Sequence, residues 1–303
     1  MKISLSPVSP FDFTLSAGIF SDGDKHIRRF EGGTFWQVVT ISSGLVLIHV
    51  NSVGTIDSPR LVVELISDRK IDQYDKSEAE RIVSSLLNLK LDLKPFYRIA
   101  KRDEVMSKMV KKLKGLKSPL ALTPFEALID SIIEQQISLK VAHGLQVKVI
   151  KAFGDSLNLG GELYYAYPAP KSLGAASLQE LRECGLSLRK SEYIREISSR
   201  IAQRKLDLDK YRNYDDLQAA IRELDGIRGI GVWTAEMTLV RGMGKLDALP
   251  ADDLGLRRIM SHYYFGDRNI SSGEARDVAK KWGQWKGLAS FYLVMAAIKD
   301  VQL

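Results

Sequence analysis

The hydrophobic positions change their spacing partway along the chain. Up to about residue 66 the apolar residues lie in short runs typical of strands: FDFTLSAGIF, FWQVVTI and GLVLIHVNSV. The turn Ser42-Ser43-Gly44 between the last two runs predicts a β-hairpin. A capping box at Ser77-Glu78-Ala79-Glu80 then predicts a helix over IVSSLLNL. We therefore expect a small α+β domain with an antiparallel sheet over residues 1–96.

Beyond residue 96 the spacing is helical almost throughout. Thr123-Pro124-Phe125-Glu126 combines an N-cap threonine, a proline at the first helical position and a glutamate at the third. Similar start signals are Ser177-Leu178-Gln179-Glu180 and Ser271-Ser272-Gly273-Glu274. Because the loops between these patterns are short, we expect a compact all-α domain over residues 97–303. The predicted fold class is therefore α+β, with the sheet in the N-terminal domain.

The most informative stretch joins two helical patterns over about residues 224–242, LDGIRGIGVWTAEMTLVRG. Gly229 and Gly231 flank Ile230, and glycine permits both positive backbone angles and close approach of another backbone. The free amides and positive dipole end of the second helix favour an anionic phosphate. We expect Gly229 and Gly231 to contact such a backbone, and the Thr234 hydroxyl either to add a phosphate contact or to cap the helix locally. The simpler alternative is an ordinary connection between two helices.

The charge of the chain fits a polyanionic partner. Lys and Arg number 44 against 37 Asp and Glu, which gives a net charge of +7. The segment from Lys101 to Lys117 holds seven basic and two acidic residues around apolar positions, as in an amphipathic helix with a basic outer face. For this segment alone, a solvated helix surface is the simpler interpretation.

Several kinds of chemistry are disfavoured by composition. A single cysteine, Cys184, excludes an internal disulfide and a four-cysteine iron–sulfur cluster. The four histidines are scattered and have no metal-binding spacing. We therefore expect no catalytic metal. The longest apolar run, Leu288 to Ile298, is too short for a membrane span, and the N-terminus has no signal-like apolar core. We expect a cytoplasmic protein without membrane association.

The hairpin sequence resembles the helix-hairpin-helix (HhH-GPD) superfamily of DNA glycosylases. The resemblance extends to LPADDLGLRRIM, where the family places a catalytic aspartate followed by an apolar residue three positions on and often a basic one five on. Asp253 fits this frame, with Leu256 and Arg258 in the later places. Further matches resemble the AlkA-type 3-methyladenine DNA glycosylase branch. They are PFEALIDSIIEQQIS, LRECGLSLRKSEYI and KWGQWKGLASFYL, with FDFTL and GGTFWQVV in the N-terminal domain.

This resemblance implies a monofunctional glycosylase that flips alkylated purines, such as 3-methyladenine or 7-methylguanine, out of duplex DNA and excises them. Asp253 is then the carboxylate that stabilises the oxocarbenium-like sugar or activates water. Asp252 is the competing carboxylate, and we assign it to capping the next helix. Bifunctional relatives carry a lysine nucleophile where this chain has Trp233, so we expect no lyase activity.

An alkylated purine is a cation, and a cation favours aromatic faces. We therefore expect the base pocket to include Trp233, Trp282 and Trp285, with core packing as the alternative for each, and the resemblance favours Trp233 most. Met237, like Val294, stands where some relatives have an aromatic residue, so the pocket is expected to be less aromatic than theirs.

The resemblance also assigns DNA contacts and an ion. Gln136 lies where the family inserts a residue into the gap left by the flipped base, and Gln135 is expected to organise the local backbone. Family hairpins often hold a structural Na or K ion, here on the carbonyls of Asp225, Ile227 and Ile230. We expect no other cofactor and a monomer that binds damaged double-stranded DNA, nucleoid-associated if the source is prokaryotic.

Two other functions stay open at this point. A glycosylase of the same fold for hypoxanthine or an oxidised base would share Asp253 and differ in the pocket lining. A non-catalytic DNA-binding module would use the hairpin alone and would not need an aspartate in the catalytic frame. Asp253 therefore favours an enzyme over a binding module.

Overall fold

The structure is a computed structural model that describes residues 1–301. Within that range lie seven strands and fourteen α-helices. The strands β1 to β7 are Lys2–Leu5, Arg28–Glu31, Thr34–Ile41, Gly44–Ser52, Leu61–Ile66, Ser156–Leu159 and Glu162–Tyr165. The helices α1 to α14 are Phe13–Ala17, Gln73–Leu86, Lys94–Ala100, Glu104–Lys112, Pro124–Glu134, Leu139–Phe153, Pro170–Ala175, Leu178–Glu183, Leu188–Ala202, Leu217–Asp225, Val232–Met243, Leu254–Tyr264, Ser272–Ala279 and Lys286–Ile298. Short 3₁₀ helices cover Gly18–Phe20, Asp209–Asn213 and Lys280–Trp285.

The N-terminal domain is an antiparallel sheet in the order β1-β5-β4-β3-β2 with α2 packed on it. The predicted hairpin is confirmed, since Ile41 pairs with Gly44 across the turn between β3 and β4. The predicted start of α2 at Ser77 is wrong. Asp72 caps the helix and forms a capping box with Asp75, and Ser77 lies inside it with its hydroxyl bonded to the Gln73 carbonyl. Asp72 and Ser77 both begin sequences that can cap a helix, and the helix begins after the earlier one, Asp72.

The second domain is helical, and its predicted helix starts are confirmed. Thr123 caps α5, Ser177 caps α8 and Ser271 caps α13, the last two with complete capping boxes. One feature was not predicted. The hairpin formed by β6 and β7 interrupts the helices, and Leu157 packs with Val38 of the N-terminal sheet.

The helical residues form two separate hydrophobic cores. The first is built from residues between Phe125 and Ala248. The second combines residues from Leu93 to Leu116 with residues from Leu249 to Ala296. The predicted domain boundary between residues 96 and 97 falls inside α3, whose Phe96 belongs to the second core. The chain passes from the first core to the second just before Asp253.

The basic segment after residue 100 is an amphipathic helix, α4, that buries Met106, Met109 and Val110. Lys117 departs from the prediction because it does not lie on the basic outer face. Its side chain is fully buried, and Nζ donates to the carbonyl oxygens of Val8 at 2.8 Å and Leu89 at 2.9 Å. Burial lowers the pKa of Lys117 to about 8. In residues 1–301, no helix is both long and apolar enough to cross a membrane.

Candidate active site

The turn between α10 and α11 has the geometry that its glycines predict. Gly229 has φ +93°, and a Cβ there would lie 2.4 Å from Cγ of Tyr193, so both conformation and close packing require glycine. Gly231 is extended and is the N-cap of α11. A Cβ there would meet no atom within 4 Å. The space in front of the first amides of α11 is therefore open, as an approaching phosphate needs.

Thr234 is not placed for the predicted phosphate contact, and that prediction is wrong. Its side chain is buried, and Oγ1 accepts a hydrogen bond from Nε2 of Gln135 at 3.0 Å. The same Nε2 donates to the carbonyl oxygen of Gly229 at 3.0 Å. Gln135 therefore joins the end of α5 to the turn of the hairpin, which is the organising role expected for it.

Gln136, the predicted DNA wedge, is exposed immediately after α5 and has φ +57°. A non-glycine residue in this region is unusual and needs support from its surroundings. Lys190 supplies it, because Nζ donates to the carbonyl oxygens of Ile133 at 2.8 Å and Gln135 at 2.7 Å and so closes the end of the helix. Burial lowers the pKa of the Lys190 ammonium. Gln136 is thus held outward beside the hairpin.

Asp253 is the N-cap of α12, and its carboxylate has two donors. Oδ1 accepts from the amide of Leu256 at 2.7 Å, and Oδ2 accepts from Nε1 of Trp233 at 3.1 Å. The prediction that Asp252 caps this helix is therefore wrong, because Asp253 has the extended backbone of an N-cap and reaches the amide three residues on. Asp252 instead places Oδ2 3.5 Å from Nη2 of Arg276.

Two of the predicted pocket tryptophans lie in the second helical core. Trp282 has no exposed surface, and its Nε1 donates to Oδ2 of Asp103 at 3.3 Å. Trp285 is buried with its ring 5.9 Å from that of Phe96. Both side chains pack in this core, so their placement in the base pocket is wrong. Trp233 and Met237 are half-buried on α11.

A polar cavity of about 220 Å³ lies between the N-terminal domain and α5, and sequence reasoning missed it. Trp233, Met237 and Arg241 stand four residues apart, so they share the face of α11 that leads from Asp253 toward this cavity. Three carboxylates of α5 with the same spacing also line it: Glu126, Asp130 and Glu134. The signal in the sequence was this regular acidic spacing within an otherwise apolar helix.

Arginines balance two of these carboxylates. Nη1 of Arg241 lies 2.9 and 2.7 Å from the two oxygens of Glu134, and Nη1 of Arg28 lies 3.2 Å from Oε1 of Glu126. Burial raises the pKa of Glu126, and Arg28 offsets part of that effect. Burial lowers the pKa of Arg241, but the charges of Glu134, Asp130 and Asp253 outweigh this and raise it. Asp253 therefore lies within electrostatic reach of the cavity.

Among the residues that the structure describes, Asp130 is the one of these three carboxylates that forms no ion pair with an arginine. The Tyr167 hydroxyl donates to its Oδ1 at 2.9 Å. Burial, with the negative charges of Glu126 and Glu134, raises the pKa of Asp130 to about 8. Its surroundings therefore favour the protonated form of Asp130 more than water does.

Metal-binding side chains and the carbonyl groups of the hairpin turn are the two features relevant to the predicted ions. Among residues 1–301, no group of three or more His, Cys, Asp or Glu side chains is arranged to hold a metal ion. In the hairpin turn, the Ile227 carbonyl accepts from the Ile230 amide at 2.9 Å. A monovalent cation there would share that carbonyl through its second lone pair.

A larger cavity, about 750 Å³, lies between β3 and the start of α5, and neither Asp253 nor a hairpin residue lines it.

Comparison with known proteins gives consistent matches. A family model described as "HhH-GPD superfamily base excision DNA repair protein" matches residues 129–284. The DNA-3-methyladenine glycosylase of Bacillus subtilis is 28% identical, over 93% of this chain and 93% of that protein. A probable N-glycosylase/DNA lyase of Methanothermobacter thermautotrophicus is 29% identical, over 95% of this chain and 93% of that protein.

A solved structure of a 3-methyladenine DNA-glycosylase from Archaeoglobus fulgidus superposes with a TM-score of 0.84 at 27% identity, covering 97% of this chain and 98% of the other. The family model matches just over half of the chain. The matched residues include the C-terminal part of α5, the whole hairpin and Asp253. The protein therefore belongs to the HhH-GPD superfamily of base excision DNA repair proteins.

Proposed function

We propose that this protein is a monofunctional DNA glycosylase that excises alkylated purines, such as 3-methyladenine or 7-methylguanine, from duplex DNA. The observation that carries the proposal is the setting of Asp253. Its two oxygens are held by the Leu256 amide and the Trp233 indole, the latter on the helix that begins at the hairpin turn. A carboxylate oriented in advance stabilises the positive charge that develops on deoxyribose as the base leaves.

The proposed DNA contacts agree with this setting. The open N-terminus of α11 at Gly231 would bind a backbone phosphate beside the lesion. Gln136, exposed at the end of α5, would fill the space that the flipped base vacates. Gln135 joins the end of α5 to the hairpin turn through its hydrogen bond to the Gly229 carbonyl. The phosphate-binding turn and the inserted Gln136 would therefore be held in one rigid unit. The structural cation on the carbonyls of Asp225, Ile227 and Ile230 stays a proposal of the same kind.

The flipped base would lie along the face of α11 between Asp253 and the 220 Å³ cavity. A cationic alkylated purine would be attracted by Asp253 and by the aromatic face of Trp233. Relatives over nearly the full length that are described as DNA-3-methyladenine glycosylases support this substrate class.

A second candidate substrate class is favoured by one observation. Asp130 lines the 220 Å³ cavity, and burial there raises the pKa of its carboxyl, which favours the protonated form that can donate a hydrogen bond. A donor in this cavity suits a neutral base with an acceptor oxygen or nitrogen, such as hypoxanthine or an oxidised purine. The two classes differ in charge, so one experiment can compare them.

The test is base release from duplexes that each carry one defined lesion, measured with enzyme in excess. We expect release of 7-methylguanine or 3-methyladenine, and Asp253→Asn should lower the single-turnover rate by at least about 100-fold while DNA affinity is kept. Asp252→Asn is the neighbouring comparison and should cost less than about tenfold. A folded Asp252→Asn variant that loses more rate than Asp253→Asn would contradict the assignment. Faster release of hypoxanthine than of the alkylated bases would favour the second class.

The monofunctional part of the proposal rests on Trp233, whose indole stands where a nucleophilic amine would be needed. Two lysines near the site in sequence are engaged elsewhere. Nζ of Lys245 donates to the Tyr214 carbonyl at 2.8 Å, and Nζ of Lys281 lies 5.6 Å from the ring centre of Tyr264. We expect borohydride to trap no covalent protein–DNA adduct, and the product strand should break only after alkali. Efficient trapping that is lost in Lys245→Ala or Lys281→Ala would show a lyase.

A further inference from the structure

A single guanidinium joins α11 of the hairpin to the region that carries Asp253. Arg276, on α13, donates from Nη1 to Oε1 of Glu236 at 2.8 Å and from Nη2 to Oε2 at 3.3 Å. Glu236 lies on α11 and is only 2% exposed. A two-pronged arginine–carboxylate contact is strong and fixes the relative orientation of its partners.

The same guanidinium also reaches the loop between α11 and α12. Nη1 donates to the carbonyl oxygen of Leu249 at 3.2 Å, and Nη2 lies 3.5 Å from Oδ2 of Asp252. Arg276 therefore contacts the loop at two points just before Asp253. Three elements, α11, α13 and this loop, meet at one side chain.

The loop itself is short and internally bonded. The amide of Ala251 donates to the Leu249 carbonyl at 2.7 Å, and the amide of Asp253 donates to the Pro250 carbonyl at 3.0 Å. Leu249, Pro250 and Ala251 are all buried. A displacement of the Leu249 carbonyl is consequently passed along the loop to the backbone of Asp253.

The position of this ion pair is not explained by stability alone. Burial raises the pKa of Glu236, and the hydrogen bond and charge of Arg276 offset part of that effect. Buried ion pairs are often no more stabilising than apolar residues of the same shape. A charged pair at the junction of hairpin, loop and α13 does something that an apolar pair cannot, because its directional bonds define where the loop lies.

We propose that Arg276 is a positioning residue for base excision: it sets the loop before α12 against α11, so that the Asp253 carboxylate faces the deoxyribose. Arg276 acts through Asp253 and does not itself contact the reacting atoms. The inference rests on the proposed role of Asp253. A misplacement of about 1 Å in a catalytic group can cost on the order of 100-fold in rate, so small loop shifts are sufficient.

Three variants and one control test this role. Arg276→Lys keeps the charge and loses the fork, and Arg276→Ala opens a space for added guanidinium. The double variant Glu236→Leu with Arg276→Leu removes the pair without leaving a buried charge alone. Arg268→Gln is the matched control, since it breaks an exposed ion pair to Glu274 (2.6 Å) and removes the same charge. For each, we would measure the single-turnover rate at saturating enzyme, the Kd for the lesion duplex and the Tm.

We expect the Leu/Leu variant to fold and to lose on the order of 10- to 100-fold in rate, with a Kd within about threefold of the parent. Arg276→Lys should lose less, and guanidinium, but not ammonium at equal ionic strength, should restore part of the Arg276→Ala rate. Arg268→Gln should stay within about twofold of the parent in rate. A weaker Kd with no loss in the single-turnover rate would overturn the proposal. An unchanged rate in folded Leu/Leu and Arg276→Lys variants would also overturn it. A parent enzyme that releases no base, or an Asp253→Asn variant with full rate, would overturn the proposed function itself.

Discussion

Gly229 and Gly231 stand two positions apart in the hairpin turn but meet different surroundings. Gly229 combines a positive φ with contact against the Tyr193 ring, whereas Gly231 is extended and faces open space. The first glycine is therefore needed for folding. A Cβ on the second would meet no atom of the protein, so its missing side chain matters to whatever approaches α11 from outside.

The two alanine variants should separate these roles. Gly229→Ala should cost at least about 1–2 kcal/mol in the free energy of unfolding, because alanine disfavours positive φ and its Cβ clashes with Tyr193. Gly231→Ala should cost less than about 1 kcal/mol, since only the N-cap preference changes, yet it should weaken DNA binding. Urea unfolding and fluorescence anisotropy with an undamaged duplex would measure the two effects. Unchanged affinity in Gly231→Ala would argue against phosphate binding at this turn.

Individual residues also mark where sequence reasoning succeeded and where it did not. Asp253 was singled out from a motif, and its bond to Trp233 joins two residues that the motif placed separately. The cap was assigned one residue too early, because Asp252 and Asp253 are the same residue type and only backbone geometry distinguishes them. Trp282 and Trp285 could not be placed from sequence, since a tryptophan suits a core and a pocket equally well.

Among the elements, α5 combines the core, the cavity and the DNA-facing end. One side of the helix supplies buried apolar residues such as Leu128 and Ile132, and another side supplies the three carboxylates of the cavity. Its C-terminal end is held by Lys190 and continues into Gln135 and Gln136. A change in charge on α5 can therefore affect stability and the site together.

The raised pKa of Asp130 predicts a pH dependence of stability. The folded value is about 8 and the unfolded value is about 3.9, so between these limits the folded state binds more protons than the unfolded state. The free energy of unfolding should then fall as pH rises from about 4 to about 8. Glu126 contributes in the same direction, whereas Arg28 and Arg241 limit the effect.

Urea unfolding at pH 5 and pH 8 measures this slope, and Asp130→Asn is the variant to compare. The amide does not ionise but can still contact the Tyr167 hydroxyl. We expect the variant to show a shallower fall in stability between the two pH values than the parent. An equal slope in both proteins would show that Asp130 does not titrate as described.

Elements whose signals are local were predicted well. Helices α5, α8 and α13 begin at the predicted caps, because a cap is a contact within three residues. The hairpin of β6 and β7 is an exception, because its two-residue turn, Gly160-Gly161 with both φ positive, is a local signal in the sequence. The cavity could not be predicted from local signals, since its walls come from both domains.

At the scale of the whole molecule, the site lies where three cores meet. The N-terminal sheet supplies Arg28, the first helical core supplies α5 and α11, and the second helical core begins just before Asp253. The buried ammonium of Lys117 adds a further tie between the N-terminal domain and the segment leading to α5. Fold class and domain order were readable from periodicity, but the division of the helical residues into two cores was not, because it depends on which helices meet.

The second helical core has a consequence for the order in which the protein forms. Its two parts, residues 93–116 and 249–296, are separated by the whole of the first helical core. During synthesis at roughly 5–20 residues per second, α3 and α4 leave the ribosome long before the helices that cover them. The sheet domain and the first helical core can be complete while α3 and α4 still expose their apolar faces. Asp253 follows the first helical core in the chain, so a chain interrupted before residue 253 holds the hairpin but not the carboxylate that accepts from Trp233.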